Sequence, residues 1–309
     1  MAAIVNTGLT LRGLRNEFFT HYDQWTQKVP NLWQKLCTVI QSNGSSETYK
    51  FLGSHPMPRQ WGTGRIERGL NVGSFTVTND EYELTYSVDR KELEDDQTGQ
   101  IRLKIQSMAA SVARHNDYLL SLLINDGHST GYKSYDDQIF FSAAHTEGGS
   151  GTQDNDLTDS TITTPSAMTT TEMQSVLRQM LVAMAGFKDD QGNKVAFSSS
   201  GLVLVVPPGQ YPAAMEAVKA RQILGTDNMM STMDVVMLSL LSSTDTVYLF
   251  KTDDVIKPFI LQQRSPLEFA SQEKESEKGF QTNRYQYGTY ERKVMTYGAW
   301  QNAVRMIVT

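Results

Sequence analysis

The chain has 309 residues, 39% of them hydrophobic and 20% charged, which is enough apolar material for a substantial core and excludes a disordered tail. Its 34 acidic residues outnumber 28 Lys and Arg, and the net charge of −6 excludes a protein that condenses nucleic acid by neutralising phosphates. A single cysteine, Cys37, excludes an internal disulfide framework or a Cys-rich zinc site, and five scattered histidines offer no metal-ligand spacing, so neither a metal nor a cofactor is expected.

No basic segment followed by an apolar run opens the chain. The longest apolar runs, 202–206 and 235–238, are far too short to cross a bilayer, and the expectation is a soluble protein made in a cytoplasm, without membrane contact.

In chain order, Leu11, Leu14, Phe18, Tyr22 and Trp25 fall three and four residues apart and predict an amphipathic helix ended by Pro30. Trp33, Leu36, Cys37 and Ile40 predict a second helix that stops at Ser42-Asn43-Gly44. The two helices either pack as an ordinary hairpin or form an arm that docks on a neighbour through Trp25 and Trp33, and spacing does not separate these readings. A β-type run at 47–52 leads into 55–69, an extended loop that carries Arg59, Trp61, Arg65 and Arg68 in an otherwise acidic chain. Gly62-Thr63-Gly64 fits neither a phosphate loop nor a dinucleotide fingerprint, whereas Trp and Arg are the residues that anchor protein contacts.

Phe75 and Val77, then Tyr82, Leu84, Tyr86 and Val88, alternate with polar residues as a half-buried strand, so 47–88 predicts a long hairpin with a glycine-rich tip. After the capping run Asp95-Asp96-Gln97-Thr98, the residues Ile101, Ile105, Met108, Val112, Leu119 and Leu122 or Leu123 predict a helix of close to thirty residues that ends at Asn125-Asp126-Gly127. The stretch 148–167 predicts a solvated surface loop. Its Asp154, Asp156 and Asp159 lack the glycine and terminal glutamate of a helix-loop-helix calcium site.

Met173, Val176, Leu177, Met180, Leu181 and Met184 predict a helix with a core-filling methionine stripe, followed by a buried strand at 202–206, a helix at 211–223 and a strand at 247–250. Strands are expected around 259–262, 284–290 and 303–308. No Gly-x-Ser-x-Gly elbow occurs, and His145, the only candidate base, fits better as a polar residue fixing the loop after Phe140-Phe141, so the chain is not expected to be an enzyme. The order of elements predicts an α+β protein of two lobes, one of them discontinuous.

Several segments taken in order resemble one family: Thr48-Tyr49-Lys50-Phe51-Leu52-Gly53 with Trp61 and Gly64-Arg65; Asp89-Arg90 with Glu94-Asp95-Asp96; and Phe140-Phe141 with His145. Leu204-Val205-Val206-Pro207, Ile256-Lys257-Pro258-Phe259-Ile260 and Tyr297-Gly298-Ala299-Trp300-Gln301-Asn302-Ala303-Val304 continue the series over most of the chain. Together they resemble the Mu-like phage major head subunit family (gpT-like), whose members have the capsid fold of tailed phages named for phage Hong Kong ninety-seven.

The resemblance implies an N-terminal arm at 1–44, an extended loop at 45–95, a peripheral domain with a long spine helix at 96–127 and 256–309, and an axial domain at 128–255. It implies a major capsid protein that self-assembles from hexamers and pentamers into an icosahedral shell around double-stranded DNA. The shell would make no sequence-specific contact with that DNA, and would be assembled in the host cytoplasm and carried in the virion. The helical pattern begins within about ten residues of Met1, so scaffold is expected as a separate protein, with no clipping of this chain. A portal protein and a decoration protein complete the expected partners, and Trp25, Trp33, Arg59, Trp61, Arg65 and Arg68 are the expected subunit-interface residues. The alternative is an encapsulin-like nanocompartment shell of the same fold, enclosing an enzyme cargo.

Overall fold

The computed structural model describes residues 11–28, 31–50, 52–53, 75–89, 91–92, 99–195, 197–220, 222–223, 226–227, 232–272 and 281–309. Helix α1 (Leu11–Lys28) lies along α3 (Gln100–Asp126), a helix of 27 residues and therefore about 40 Å long. Leu14 and Phe18 of α1 are buried against Ile101, Ile105, Met108 and Ala109 of α3, and the Phe18 ring meets Phe269 at 4.9 Å. Gly99 starts α3 with φ 71°, the left-handed backbone that glycine adopts without a Cβ penalty.

The second predicted helix is shorter than its stripe. Helix α2 (Leu32–Leu36) ends at Leu36, and Cys37–Gln41 is strand β1. Thr38, Val39 and Ile40 are β-branched, and β1 pairs in parallel with the start of β13 (Phe259–Gln272), Cys37 opposite Phe259. Cross-strand hydrogen bonding outweighs a helical spacing that only four apolar residues had suggested.

Strand β1, β13, β14 (Arg284–Tyr297) and β4 (Asp80–Asp89) form one sheet in the order β1-β13-β14-β4, and α3 lies across it. The run predicted as one strand through 75–88 breaks at Asn79, and its first part, β3 (Phe75–Thr78), pairs instead with β2 (Ser46–Tyr49).

The second sheet has five strands, β11-β8-β12-β15-β7, from Asp234–Met237, Leu202–Val206, Thr246–Lys251, Ala303–Val308 and Asp156–Asp159 respectively. Every residue of β8 and β12 is buried, because α4 (Thr170–Gly186) and α5 (Tyr211–Lys219) cover one face while Phe140, Phe141 and Phe259 fill the other. The methionine stripe of α4 is core, as its spacing predicts: Met173, Met180 and Met184 are all buried.

Helix α5 stops at Lys219, short of the expected 223, and β9 (Gln222–Ile223) turns back on β10 (Thr226–Asp227). The stretch 148–167 is more than a solvated loop. Thr152–Gln153 (β6) pairs with His145–Thr146 (β5), and β7 is a sheet edge held by two bonds from Arg305 Nη1 to the Asp156 carboxylate, at 3.1 and 3.3 Å. Its aspartates serve structure: Asp159 accepts from Thr161 and Gln179, and Asp154 from the Asp156 N–H.

Strand β15 lies between β12 and β7, in the sheet of the 128–255 segment rather than beside β13 and β14. Gly298, between β14 and Trp300, sits where only glycine fits. Its N–H donates to the Pro258 carbonyl at 2.7 Å, and a Cβ would collide with the Lys257 carbonyl oxygen. Gly298→Ala is expected to destabilise the subunit by about 1–3 kcal/mol in urea unfolding, because the obstruction is backbone and cannot swing away.

At the start of α4, the Thr169 hydroxyl accepts the Glu172 N–H while Glu172 accepts the Thr169 and Thr163 N–H groups, a capping box that holds the Glu172 carboxyl at about 2. Its stabilisation is present in full above the ordinary 4.5 and is lost as pH falls through about 2. Wild type should therefore melt above Glu172→Gln at neutral pH, with the gap closing across that interval in a pH series of thermal melts.

Candidate assembly interface

Of the residues expected at a subunit interface, Arg59, Trp61, Arg65 and Arg68 lie outside the described residues; the root from which their loop leaves the fold is described. Strands β2 and β3 close that root, with Tyr49 opposite Phe75 and Ser46 opposite Thr78. A two-stranded ribbon is marginal in water by itself, so something must hold it.

The holder is Gln262 of β13, which is fully buried. Its Oε1 accepts from the Tyr49 hydroxyl at 2.5 Å, and its Nε2 donates to Asn79 Oδ1 at 2.7 Å and to the Val77 carbonyl at 3.4 Å. Asn79 Nδ2 then donates to Ser42 Oγ and the Gly44 carbonyl, both at 3.0 Å. Ser42 Oγ donates to Glu47 Oε1 at 2.9 Å, which also accepts the N–H groups of Asn43 and Gly44. One amide thus ties the β1–β2 turn, both strands of the root and the break before β4 to the central sheet.

The electrostatics follow from these bonds. The Asn43 N–H, the Ser42 hydroxyl and the Gly44 N–H hold the Glu47 carboxyl below the usual carboxylate range, and burial pushes the Tyr49 phenol up to about 12. A network of this kind, with its members paired, fixes one geometry, since an amide left unpaired in the same place costs about 1–3 kcal/mol.

Trp25 and Trp33 are both half-buried, and both are held by α3 of their own chain. The Arg114 guanidinium lies 4.7 Å from the Trp25 ring centroid and the Lys28 ammonium 5.3 Å, each a cation–π contact. Trp33 packs on the larger core, and its N–H donates at 3.0 Å to Asp117 of α3. Burial raises the Asp117 carboxyl, and the N–H groups of Trp33, Asn31 and Leu32 oppose that shift. The structure thus shows the first two helices packed on the spine helix, with part of each indole left at the surface.

A second polar cluster gave no signal in the sequence. Thr289, Glu291 and Lys293 occupy buried positions of alternating β14, where apolar side chains would be expected. The Lys293 ammonium pairs with Glu291 and donates to Asn116 Oδ1 of α3 at 2.5 Å, while His115 Nδ1 lies 3.4 Å from Glu291. Burial lowers the Lys293 ammonium. Bonds from His115 and the Lys293 charge hold the Glu291 carboxyl down against its own burial. This cluster pins the middle of the helix to the sheet, and only the alternation of β14, once its register is known, exposes it.

Cys37 is buried and its thiol is pushed far up by desolvation, so it is no nucleophile. Among the described residues, no three His, Cys, Asp or Glu side chains are placed to hold a metal ion, and no helix is long and apolar enough to cross a membrane. His145 is fully buried and bonds the Phe140 carbonyl, the loop-fixing geometry expected of it.

Comparison with known proteins gives a consistent account. The family model for the Mu-like prophage major head subunit gpT matches residues 11–170 and 235–307. The major capsid protein of Escherichia phage Mu is 26% identical over 142 residues, 46% of each chain. The Mu-like prophage FluMu major head subunit of Haemophilus influenzae is 25% identical over 146 residues, 47% of each. The chain thus spans about half the length of the curated relatives it matches.

Among solved structures, the procapsid of bacteriophage JBD30 superposes with a TM-score of 0.55 at 21% identity, covering 96% of this chain and 74% of that one. The mature capsid of bacteriophage PhiM1 gives 0.60 at 9% identity, covering 90% and 86%. A virus-like particle from Pyrococcus furiosus gives 0.54 at 12% identity, covering 94% and 98%. The spine helix, the two sheets and the clamped loop root form the capsid fold of tailed phages, and with most of its length matched by the family model the chain belongs to the Mu-like prophage major head subunit gpT family.

Proposed function

We propose that the chain is a major head protein whose copies assemble as hexamers and pentamers into an icosahedral shell enclosing double-stranded DNA. The shell is assembled in the host cytoplasm and carried in the virion. The observation that carries this reading is the family match, which takes in the spine helix, the loop root, all four strands of the first sheet and β7, β12 and β15 of the second. In this reading 1–44 is the N-terminal arm, 45–95 the extended loop, 96–127 with the long strands the peripheral domain and 128–255 the axial domain, to which β15 adds the final strand.

The physical chemistry supports it. A shell is held by many contacts of modest strength, which lock the whole by multivalency while each single contact stays reversible enough to correct errors. The net charge of −6 suits a container whose DNA must stay mobile during filling, since each phosphate neutralised on the wall would add salt-sensitive attraction. Arg59, Trp61, Arg65 and Arg68 are the residues proposed to reach a neighbour, with the exposed parts of Trp25 and Trp33 as secondary contacts. A scaffolding protein, a portal and a decoration protein are the further proposed partners; one structure similar in fold is a JBD30 capsid decorated with minor capsid protein trimers.

Negative-stain microscopy of the expressed protein tests the reading: closed shells support it, and discrete small oligomers under all assembly conditions overturn it. DNA inside particles from infected or induced cells supports the head reading, and an enzyme inside supports the nanocompartment. Trp61→Ala and Arg65→Ala are expected to cut particle yield while leaving the circular dichroism of the free subunit unchanged. Gln262→Leu removes the acceptor of the Tyr49 hydroxyl bond and the donor to Asn79 Oδ1, so amide hydrogen exchange should quicken at 46–49 and 75–78 while β8 and β12 stay protected.

A further inference from the structure

The side chain of His145 is enclosed on every side that the structure describes. Its ring is fully buried and stacks on Trp300, also fully buried, at a centroid distance of 4.1 Å with 5° between the planes. Nδ1 lies 2.6 Å from Asp136 Oδ2 and Nε2 lies 3.2 Å from the Phe140 carbonyl oxygen. A carbonyl only accepts, so Nε2 must carry a hydrogen. A carboxylate also only accepts, so Nδ1 must carry one too.

A neutral imidazole has one N–H and would leave a lone pair facing an acceptor in a dry interior. The remaining arrangement puts the proton on Asp136. It asks the weaker base to take the proton, since free carboxylate and imidazole groups titrate near about 3.9 and about 6.5, and it forgoes the attraction of a cation to the indole face.

We infer that His145 is held as an imidazolium, the cationic half of a buried ion pair with Asp136 that fastens the 136–155 excursion to the approach of the last strand. The surroundings serve the same fastening. Asn155 Nδ2 donates to the Phe140 carbonyl at 2.9 Å and its own carbonyl accepts the Arg305 N–H of β15 at 2.8 Å. Two further titratable groups beside this loop, Tyr135 and Glu147, are bridged by the Gln301 amide at 2.7 and 2.9 Å, while Asp137 and Asp154 are exposed.

Nitrogen-15 spectra of histidine-labelled protein at about pH 8, above the ordinary imidazole value, test this directly. The expected result is a ring with two protonated nitrogens at His145, a signal absent from His145→Gln. Asp136→Asn should return His145 to a single N–H at the same pH. A neutral His145 in the wild type overturns the inference, as does an Asp136→Asn protein that keeps both protons. If the variants fail to fold, the wild-type spectrum still decides, with the signal assigned by its contact to the Trp300 indole.

Discussion

The apolar surface of α3 is divided between two cores, and the rest of the molecule is organised by that division. Ile101, Ile105, Met108 and Ala109 are buried with α1 and the distal halves of β13 and β14, while Leu120 and Ile124 are buried with the five-stranded sheet and its helices. The two long strands make the same passage: Phe259 and Tyr297 belong to the larger core, Phe269 and Tyr287 to the smaller. Three elements therefore cross both cores, and neither core can be repacked without moving the other. Force applied at one end is therefore transmitted by packed side chains rather than absorbed in a linker.

Polar groups buried in this framework act as registration marks. Gln262 aims the root of the extended loop, Lys293 and Glu291 fix the helix against the middle of the sheet, and Arg305 holds the edge strand β7 through Asp156. Replacing such groups by apolar ones of the same shape is often neutral for stability, so their contribution lies in selecting one arrangement. In the proposed assembly, a contact made through the loop between Tyr49 and Phe75 tolerates little error in the direction of departure, which gives the buried hydrogen bonds at Tyr49 and Asn79 their use.

Much of the chain was legible from spacing. The stripes of α1, α3 and α4, the all-apolar β8 and the closing strand at 303–308 stand where local periodicity puts them, since each has enough residues on one face for burial to follow the pattern. The candidate interface was legible only as composition, a basic and aromatic loop in an acidic chain. Its clamp was hidden because Gln262 and Asn79 are polar residues in runs that otherwise look like ordinary strand, and nothing local says which amide will be enclosed.

What the amino-acid sequence determined by itself was the inventory: mixed helix and strand, a long helix ending near 126, the all-apolar β8, and family membership through the order of many weak segments. Tertiary structure decided the partners. Cys37–Gln41 became a strand because β13 offered a parallel edge, Asp156–Asp159 became sheet because β15 offered another, and Ala303–Val308 joined the strands of 202–251. Helical stripes are written in neighbours three and four residues apart, whereas strand pairing and buried polar contacts join residues as distant as Cys37 and Phe259, and that information appears only when the chain has closed on itself.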